Sequence, residues 1–450
     1  MKRTITWLLY IFMSVQIVLG CAWFVNNFSH RQQFSESFAS FLPAGGIFLI
    51  QLFVAGFSTW YMLGKLGFGE RKGLRGLVCG FLLTVPFLLQ MHMAELVWSL
   101  SLSAFLWMFG LLTEIIFQGF TKKRGCLLAA AYVLYGIICP DGVWLGGALL
   151  LFGSFFISGK SADGEAEQKI AVGTEGAGAR VRFRLTVFLT AGVVLLANAS
   201  LNRAFPDARQ IYRENNPGTA AVSRFVWPNF ATNYFFWDEE VKAVLSEDDA
   251  VRLCQRIDLL EKEFYPAMEE TYGTVKATKL CLKMGYRCLM DRSRETVAEI
   301  GRDFADYLLI PFTIEKNLQG RGVSLTAWNY GRMKAHTPRL VKYYYRYGLF
   351  ELPVLLLGSI LLWWFHRNRQ ISQWMRQRAA GEETKEGPGV KRKDGRIPVQ
   401  WKLLFFAWLL FTFWYTMRSN LPIDYKLVLP ELFIWYLASV GGLLCQNTED

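Results

Sequence analysis

The stretch ITWLLYIFMSVQIVLGCAWFV, residues 5–25, decides the class of fold. It carries no charge, and as a helix rising about 1.5 Å per residue it covers about 30 Å, the thickness of bilayer hydrocarbon. Lys2 and Arg3 precede it as they would a secretory leader. A leader's apolar region runs only roughly 7 to 15 residues, however, and no A-x-A site follows, so the stretch reads as a retained first span. GGIFLIQLFVAGFSTWYMLG (45–64) and LTVFLTAGVVLLANASL (185–201) repeat the pattern. Composition agrees, with 52% hydrophobic and 16% aromatic residues among 450. The expectation is an all-α, polytopic membrane protein with about ten transmembrane helices and one extracytoplasmic helical domain.

A formal charge of +12 would suggest nucleic acid in a soluble protein, so its distribution matters more than its sum. Lys65, Arg71, Lys72 and Arg75 cluster between two apolar runs, as do Lys122, Lys123 and Arg124, and as do the basic residues from Arg367 to Lys402. The clusters fall at every second loop, which is the positive-inside pattern and requires no nucleic acid. With the clusters inside, the spans are 5–25, 44–64, 76–91, 95–118, 126–140, 143–159, 184–202, 347–365, 402–417 and 427–445, and both termini are cytoplasmic. Short spans around Pro140 leave a tilted or re-entrant hairpin open. The expected location is the cell membrane, with the lipid bilayer as the first partner.

Three regions follow. Residues 1–202 form a seven-span N-terminal membrane region, with a Gly- and Ala-rich cytoplasmic linker at about 160–183 that cannot bury a core. Residues 203–346 form the extracytoplasmic domain, with 22 Lys plus Arg against 19 Asp plus Glu. Residues 347–450 form a three-span C-terminal region with a basic cytoplasmic loop at about 366–401. Within the outer domain, Ser246 and Asp249 read as a helix cap before Leu253, Ile257, Leu260 and Phe264 at helical spacing. A second helix is expected over 274–291, and a third with Ser293 as cap and Val297, Ile300, Phe304 and Tyr307 on one face.

Cys281 and Cys288 on one helix would stand about 10 Å apart, too far to bridge, whereas Cys254 could pair with either. GSFFISGKS (153–161) has five residues between its glycines, not the four of a phosphate loop, and no zinc spacing, GxSxG or dinucleotide fingerprint occurs. No cofactor or metal site is evident. SRFVWPNFATNYFFWDEE (223–240) is rich in aromatic residues and suits a segment lying on the membrane interface better than a carbohydrate platform.

The ionisable residues bordering the spans gather at one depth. His92 and Glu95 interrupt the apolar stretch from Leu77 to Phe120, and Asp141 sits in the CPDG turn. Glu351 and Glu431 fall just inside outer span ends, His30 and Glu36 in the first outer loop, and Asp424 in the last. Glu114, near the inner end of span four, is the exception. Intramembrane ionisable groups point to function, here a polar cavity open to the outer leaflet. Against that stands the plainer reading in which Asp141 caps a turn, His92 and Glu95 are solvated, and Glu351 and Glu431 snorkel.

AELVWSLSLSAFLWMFGLLTEIIFQ, a basic loop, then YGIICPDGVWLGGALLLFG resemble the middle of polytopic glycosyltransferases that use polyprenyl-phosphate sugars. The resemblance covers residues 95–160. Those enzymes carry acidic residues in the first outer loop, where this chain has only Glu36. The resemblance implies that Glu36 deprotonates an acceptor hydroxyl, His92 or Glu95 orients it, and outer-domain arginines hold the lipid phosphate. Asp141 completes the candidate catalytic set. The competing class is a non-enzymatic scaffold or sensor whose outer domain binds a partner or envelope polymer. A transporter ranks third, because the charges collect at one face rather than at the midplane.

Overall fold

The computed structural model describes residues 2–27, 44–68, 72–85, 88–89, 96–139, 141–157, 174–204, 217–226, 237–253, 259–308, 399–417, 430 and 432–440. These residues contain helices and turns and no strand. The first seven long helices are α1 (Lys2–Asn27), α2 (Ala44–Leu63), α3 (Lys72–Thr84), α4 (Leu96–Gln118), α5 (Lys122–Ile138), α6 (Gly142–Gly153) and α7 (Thr174–Ala204). Next come the short helices α8 (Pro217–Ala221), α9 (Glu239–Lys242) and α10 (Glu247–Leu253), followed by α11 (Tyr265–Asp291) and α12 (Ser293–Leu308). The chain closes with α13 (Val399–Met417) and α14 (432–440).

The helices begin and end where local chemistry dictates. Gly119, at φ 82, ends α4 in a left-handed conformation that glycine adopts freely. Thr121 then caps α5 by accepting a hydrogen bond from the Arg124 amide at 3.3 Å. Helix α7 begins at Thr174, inside the stretch expected to be linker. Its Ala- and Gly-rich start extends a helix already nucleated by the apolar run, and adding residues to an existing helix costs little.

Among the described residues, Ser99–Gln118 and Gly178–Asn198 are long and apolar enough to cross a membrane by length and composition. Tyr10–Ala22, Gly142–Phe156 and Val399–Trp414 are shorter apolar stretches. Residues 347–365, expected as span eight, lie outside the described residues.

One apolar core joins α1 to α7 with α13 and α14. Helix α4 lies at its centre, in contact with α2, α5 and α6. Phe105 meets Tyr135 of α5 at 5.9 Å between ring centroids and Phe411 of α13 at 5.4 Å. Phe152 of α6 stacks on Phe406 at 3.9 Å, and Phe81 of α3 meets Tyr436 of α14 at 6.4 Å. Small residues set the close approaches. A Cβ added at Gly20 would lie 2.6 Å from the Thr84 Cβ, so α1 meets α3 through glycine.

The outward faces are as apolar as the core. Trp7, Leu8, Ile11, Val15 and Val18 of α1, and Val181, Leu185, Phe188, Leu189, Val193 and Leu196 of α7, are all exposed. Scattered apolar side chains at a surface are ordinary, but continuous helical stripes of them are not.

A second core belongs to residues 222–288, with Trp237, Leu253, Leu260, Phe264 and Met284 at its centre. Leu253, Leu260 and Phe264 are buried as their spacing requires. The Ser246 cap forms in both directions: the Asp249 amide donates to Ser246 Oγ at 3.2 Å, and the Ser246 amide donates to Asp249 Oδ2 at 3.1 Å. The Ser246 hydroxyl also donates to Asp249 Oδ2 at 2.8 Å, and this bond first, with that of the Ser246 amide, holds Asp249 below the usual aspartate range. Gly273, at φ 74, kinks α11, so its second part follows the expected 274–291. Helix α12 packs against α13 and links the second core to the first.

Three expectations change. Trp237 is 2% exposed and packs on Phe264 at 6.1 Å, so this end of the aromatic segment is core rather than interface. Trp227, Phe230, Tyr234, Phe235 and Phe236 lie outside the described residues. Ser293 is the first helical residue of α12, not its cap, because the Thr296 amide bonds the Arg292 carbonyl at 2.9 Å; Val297 is exposed. Cys281 and Cys288 are free buried thiols, so neither bridges to Cys254, which lies outside the described residues.

Burial pushes the Cys281 thiol up to about 12 and the Cys288 thiol up to about 11 from an ordinary 9.0. The unfolded chain therefore loses these protons first, and stability falls as pH rises from about 9 towards 11 and 12. Urea unfolding followed by tryptophan fluorescence should show this decline, and a Cys281→Ala, Cys288→Ala variant should flatten it. Gly20→Val should separate α1 from α3 and lower stability by about 1–3 kcal/mol in thermal unfolding.

Candidate functional site

Of the four residues singled out from sequence, the structure describes Asp141. Glu36, His92 and Glu95 lie outside the described residues, as do the positions of His30, Glu351, Asp424 and Glu431. The turn that holds Asp141 is tight. Cys139 ends α5 in an extended conformation, Pro140 follows without an N–H, and the Gly142 amide reaches back to the Cys139 carbonyl at 2.7 Å. Glycine is required at 142, where a Cβ would fall 2.7 Å from the Tyr135 ring. The Tyr132 hydroxyl clamps the hairpin by donating to the Val143 carbonyl at 2.6 Å. From α7, Asn198 Nδ2 donates to the Gly136 carbonyl at 3.2 Å.

Asp141 occupies the N-cap position of α6, and its carbonyl accepts from the Trp144 and Leu145 amides, each at 3.1 Å. Its side chain makes no capping hydrogen bond, and its own backbone is already helical at φ −65 and ψ −23. The residue is 2% exposed. The turn explains the backbone; the cap does not explain the carboxylate.

Other buried polar side chains stand at the same level of the bundle. Phe57 meets Trp107 at 6.0 Å, and the Tyr61 hydroxyl donates to Glu114 Oε2 at 2.9 Å, so α2 and α4 run parallel with a nearly constant offset. That offset sets Gln51 level with the turn carrying Ser99, Ser101 and Ser103. Helices α4 and α5 run antiparallel, since Phe105 meets Tyr135 while Glu114 meets Arg124 at the other end. This register brings Asp141 to the level of Ser99. Gln51, Ser99, Ser101 and Ser103 are all buried. Gln51 was not singled out in sequence, because one amide in a long apolar run carries no spacing signal.

The opposite end of the bundle is organised around Glu114. Its Oε2 accepts from Tyr61 and pairs with Lys65 at 2.6 Å, and its Oε1 accepts from Arg124 Nε at 3.1 Å. Arg124 also donates to the Gln118 and Gly119 carbonyls at 3.0 and 3.1 Å and to Gln118 Oε1 at 2.6 Å. Arg75 bonds the Trp60 carbonyl with Nε at 2.8 Å and lies 4.3 Å from that indole's centroid. Arg180 reaches the Ile157 carbonyl at 3.2 Å, and Arg184 reaches Ser154 Oγ at 2.9 Å. Both Glu114 oxygens are thus occupied by donors, which makes this carboxylate a tie between helices rather than a base. Asp141 and the serines at the far end have the chemistry to accept from and orient hydroxyl groups. Among the described residues, no group of three or more His, Cys, Asp and Glu side chains forms that could hold a metal ion.

Glu114→Gln leaves Lys65 and Arg124 without their counter-charge in a partly buried setting, and it should cost about 1–3 kcal/mol in thermal unfolding. Adding Lys65→Met should recover part of that loss, because an apolar side chain needs no partner there. Comparison with protein-family models, curated proteins and solved structures finds no match to this chain.

Proposed function

We propose that this chain is a multi-pass protein of the cell membrane, with about ten spans and both termini cytoplasmic. Residues 203–346 form its outer domain, and a site near Asp141 acts on a polyprenyl-phosphate-linked sugar at the outer leaflet. Two observations support the membrane part. The exposed stripes of α1 and α7 are apolar along their length, which lipid tolerates and water does not. Lys65, Arg75, Arg124, Arg180 and Arg184 gather at one end of the bundle, as the positive-inside rule asks of a cytoplasmic face.

The catalytic part rests on one observation. Asp141, at the end of the bundle away from the basic residues, is buried, and its side chain does not cap α6. Burying a carboxylate is expensive, and a chain that only needed a turn there could use asparagine or serine. In this reading Asp141 and the loop residues Glu36, His92 and Glu95 border a donor cavity. A carboxylate there takes the proton of an acceptor hydroxyl as that oxygen bonds the anomeric carbon and the carbon's bond to phosphate breaks, the lipid phosphate leaving.

The scaffold reading draws on a different observation. Val275, Leu282, Tyr286 and Met290 form an exposed apolar stripe along α11, suited to a partner's surface.

Two measurements test the proposal. Val275→Cys, in a background lacking native thiols, should be labelled by an impermeant reagent on intact cells, and Lys122→Cys only after permeabilisation. The reverse pattern would overturn the topology. Native mass spectrometry of the purified protein should find a polyprenyl phosphate or its sugar adduct, at least tenfold depleted in Asp141→Asn of normal yield. Bulk phospholipid alone in both proteins would sink the glycosyltransferase reading in favour of the scaffold.

A further inference from the structure

Gln51 stands in α2, about 10 Å along the helix from Ala44. Its side chain is 1% exposed, and neither its amide nitrogen nor its amide oxygen has a hydrogen-bond partner. Its neighbours along the helix do not share the problem: Ser58 donates to the Val54 carbonyl at 2.6 Å. An unpaired buried amide costs about 1–3 kcal/mol by protein mutational measures, and a leucine or methionine of similar volume would cost nothing.

The position is also level with the Ser99–Ser103 turn and with Asp141, which are buried too. Nearer the basic end the core is filled by Phe105, Phe109 and Leu112, and the buried Ser58 and Thr113 there bond carbonyls of their own helices. Buried polar groups on α2 and α4, with Asp141 on the α5–α6 turn, thus form a layer at the end of the bundle away from the basic residues.

We infer that Gln51 is a binding residue for the sugar of a lipid-linked glycan, its amide donating to one ring hydroxyl and accepting from another. An amide suits a neutral polyol better than a phosphate, because it presents one donor group and one acceptor side by side and carries no charge. Asp141 accepts from a further hydroxyl on the same ring. The inference rests on the membrane reading above and deepens it, since that reading leaves the sugar's own contacts open.

The test uses the full-length protein in detergent and short soluble lipids: citronellyl phosphate, and citronellyl-phosphate glucose, galactose and mannose. Binding is measured by ligand-induced shifts in thermal unfolding and by native mass spectrometry. The wild type should prefer at least one glycosylated lipid over bare citronellyl phosphate by about tenfold or more, the size of one to two well-made hydrogen bonds. Q51L should bind both forms with nearly equal affinity and unfold, without ligand, no lower than the wild type. Q51M serves as a second apolar variant should Q51L misfold. Equal preference in the wild type and both variants would overturn the role of Gln51 while leaving the lipid reading in place. A wild type that binds bare and glycosylated lipids alike does the same. A wild type that binds neither removes both.

Discussion

The tie around Glu114 fixes the geometry on which the rest of the bundle depends. Tyr61 comes from the end of α2 and Lys65 from the turn that follows it, Arg124 from the start of α5, and Glu114 from the last turns of α4. Three helices are therefore pinned at one end, in one register, by groups that cannot slide along an apolar surface without losing their partners. Apolar packing alone would not do this, because leucine and phenylalanine stripes fit one another in several registers. The parallel run of α2 beside α4, and the levelling of Gln51 with the serine turn, follow from that pin.

Much of the helical layout was legible in sequence because an apolar run and a helix of similar length share the same bounds. Helix α4 runs Leu96–Gln118 against an expected 95–118, and α2 runs Ala44–Leu63 against 44–64. The caps and core of residues 222–288 were legible for a different reason. Ser246 and Asp249 form a local motif whose chemistry is complete within four residues, and Leu253, Leu260 and Phe264 declare their face by spacing. Trp237 was misread because an aromatic side chain serves a core and an interface equally well, and only its packing on Phe264 separates the two. Glu114 was noticed as an exception and not as a tie, since its partners come from two other helices and no sequence spacing joins them. Asp141 was ambiguous for the same reason, as the turn motif predicts the backbone and says nothing of where the carboxylate goes.

The second core shows how a domain with nearly balanced charge can be firm. Asp238, just ahead of α9, accepts from Lys283 at 3.2 Å and Arg287 at 2.7 Å, both on α11. Glu240 pairs with Lys276 at 2.9 Å, while its carbonyl accepts from the Tyr272 hydroxyl at 2.7 Å. These exposed pairs add little energy singly, but they orient α9 along α11 where Trp237 and Val241 enter the core. The Gly273 kink is spanned from both sides: Thr274 Oγ1 donates to Glu269 Oε1 at 2.6 Å, and the Tyr265 and Thr278 hydroxyls lie 2.9 Å apart. Arg224, buried beside Val222 and Val226, pairs with Asp303 of α12 and so joins the α8 segment to the helix that reaches α13.

Glu114 and Gln51, at opposite ends of the helical bundle, are placed in opposite ways. At the basic end Glu114 has cations and a phenol, Arg75 a carbonyl and an indole face, and Arg184 a serine. Groups so paired gain nothing by admitting a ligand. At the Asp141 end the amide of Gln51 has no partner. In a low-dielectric setting an unpaired donor or acceptor raises the free energy of the empty state, and a molecule that pairs it recovers that cost on binding. The unpaired amide of Gln51, unlike the tie around Glu114, is therefore not accounted for by what it holds together.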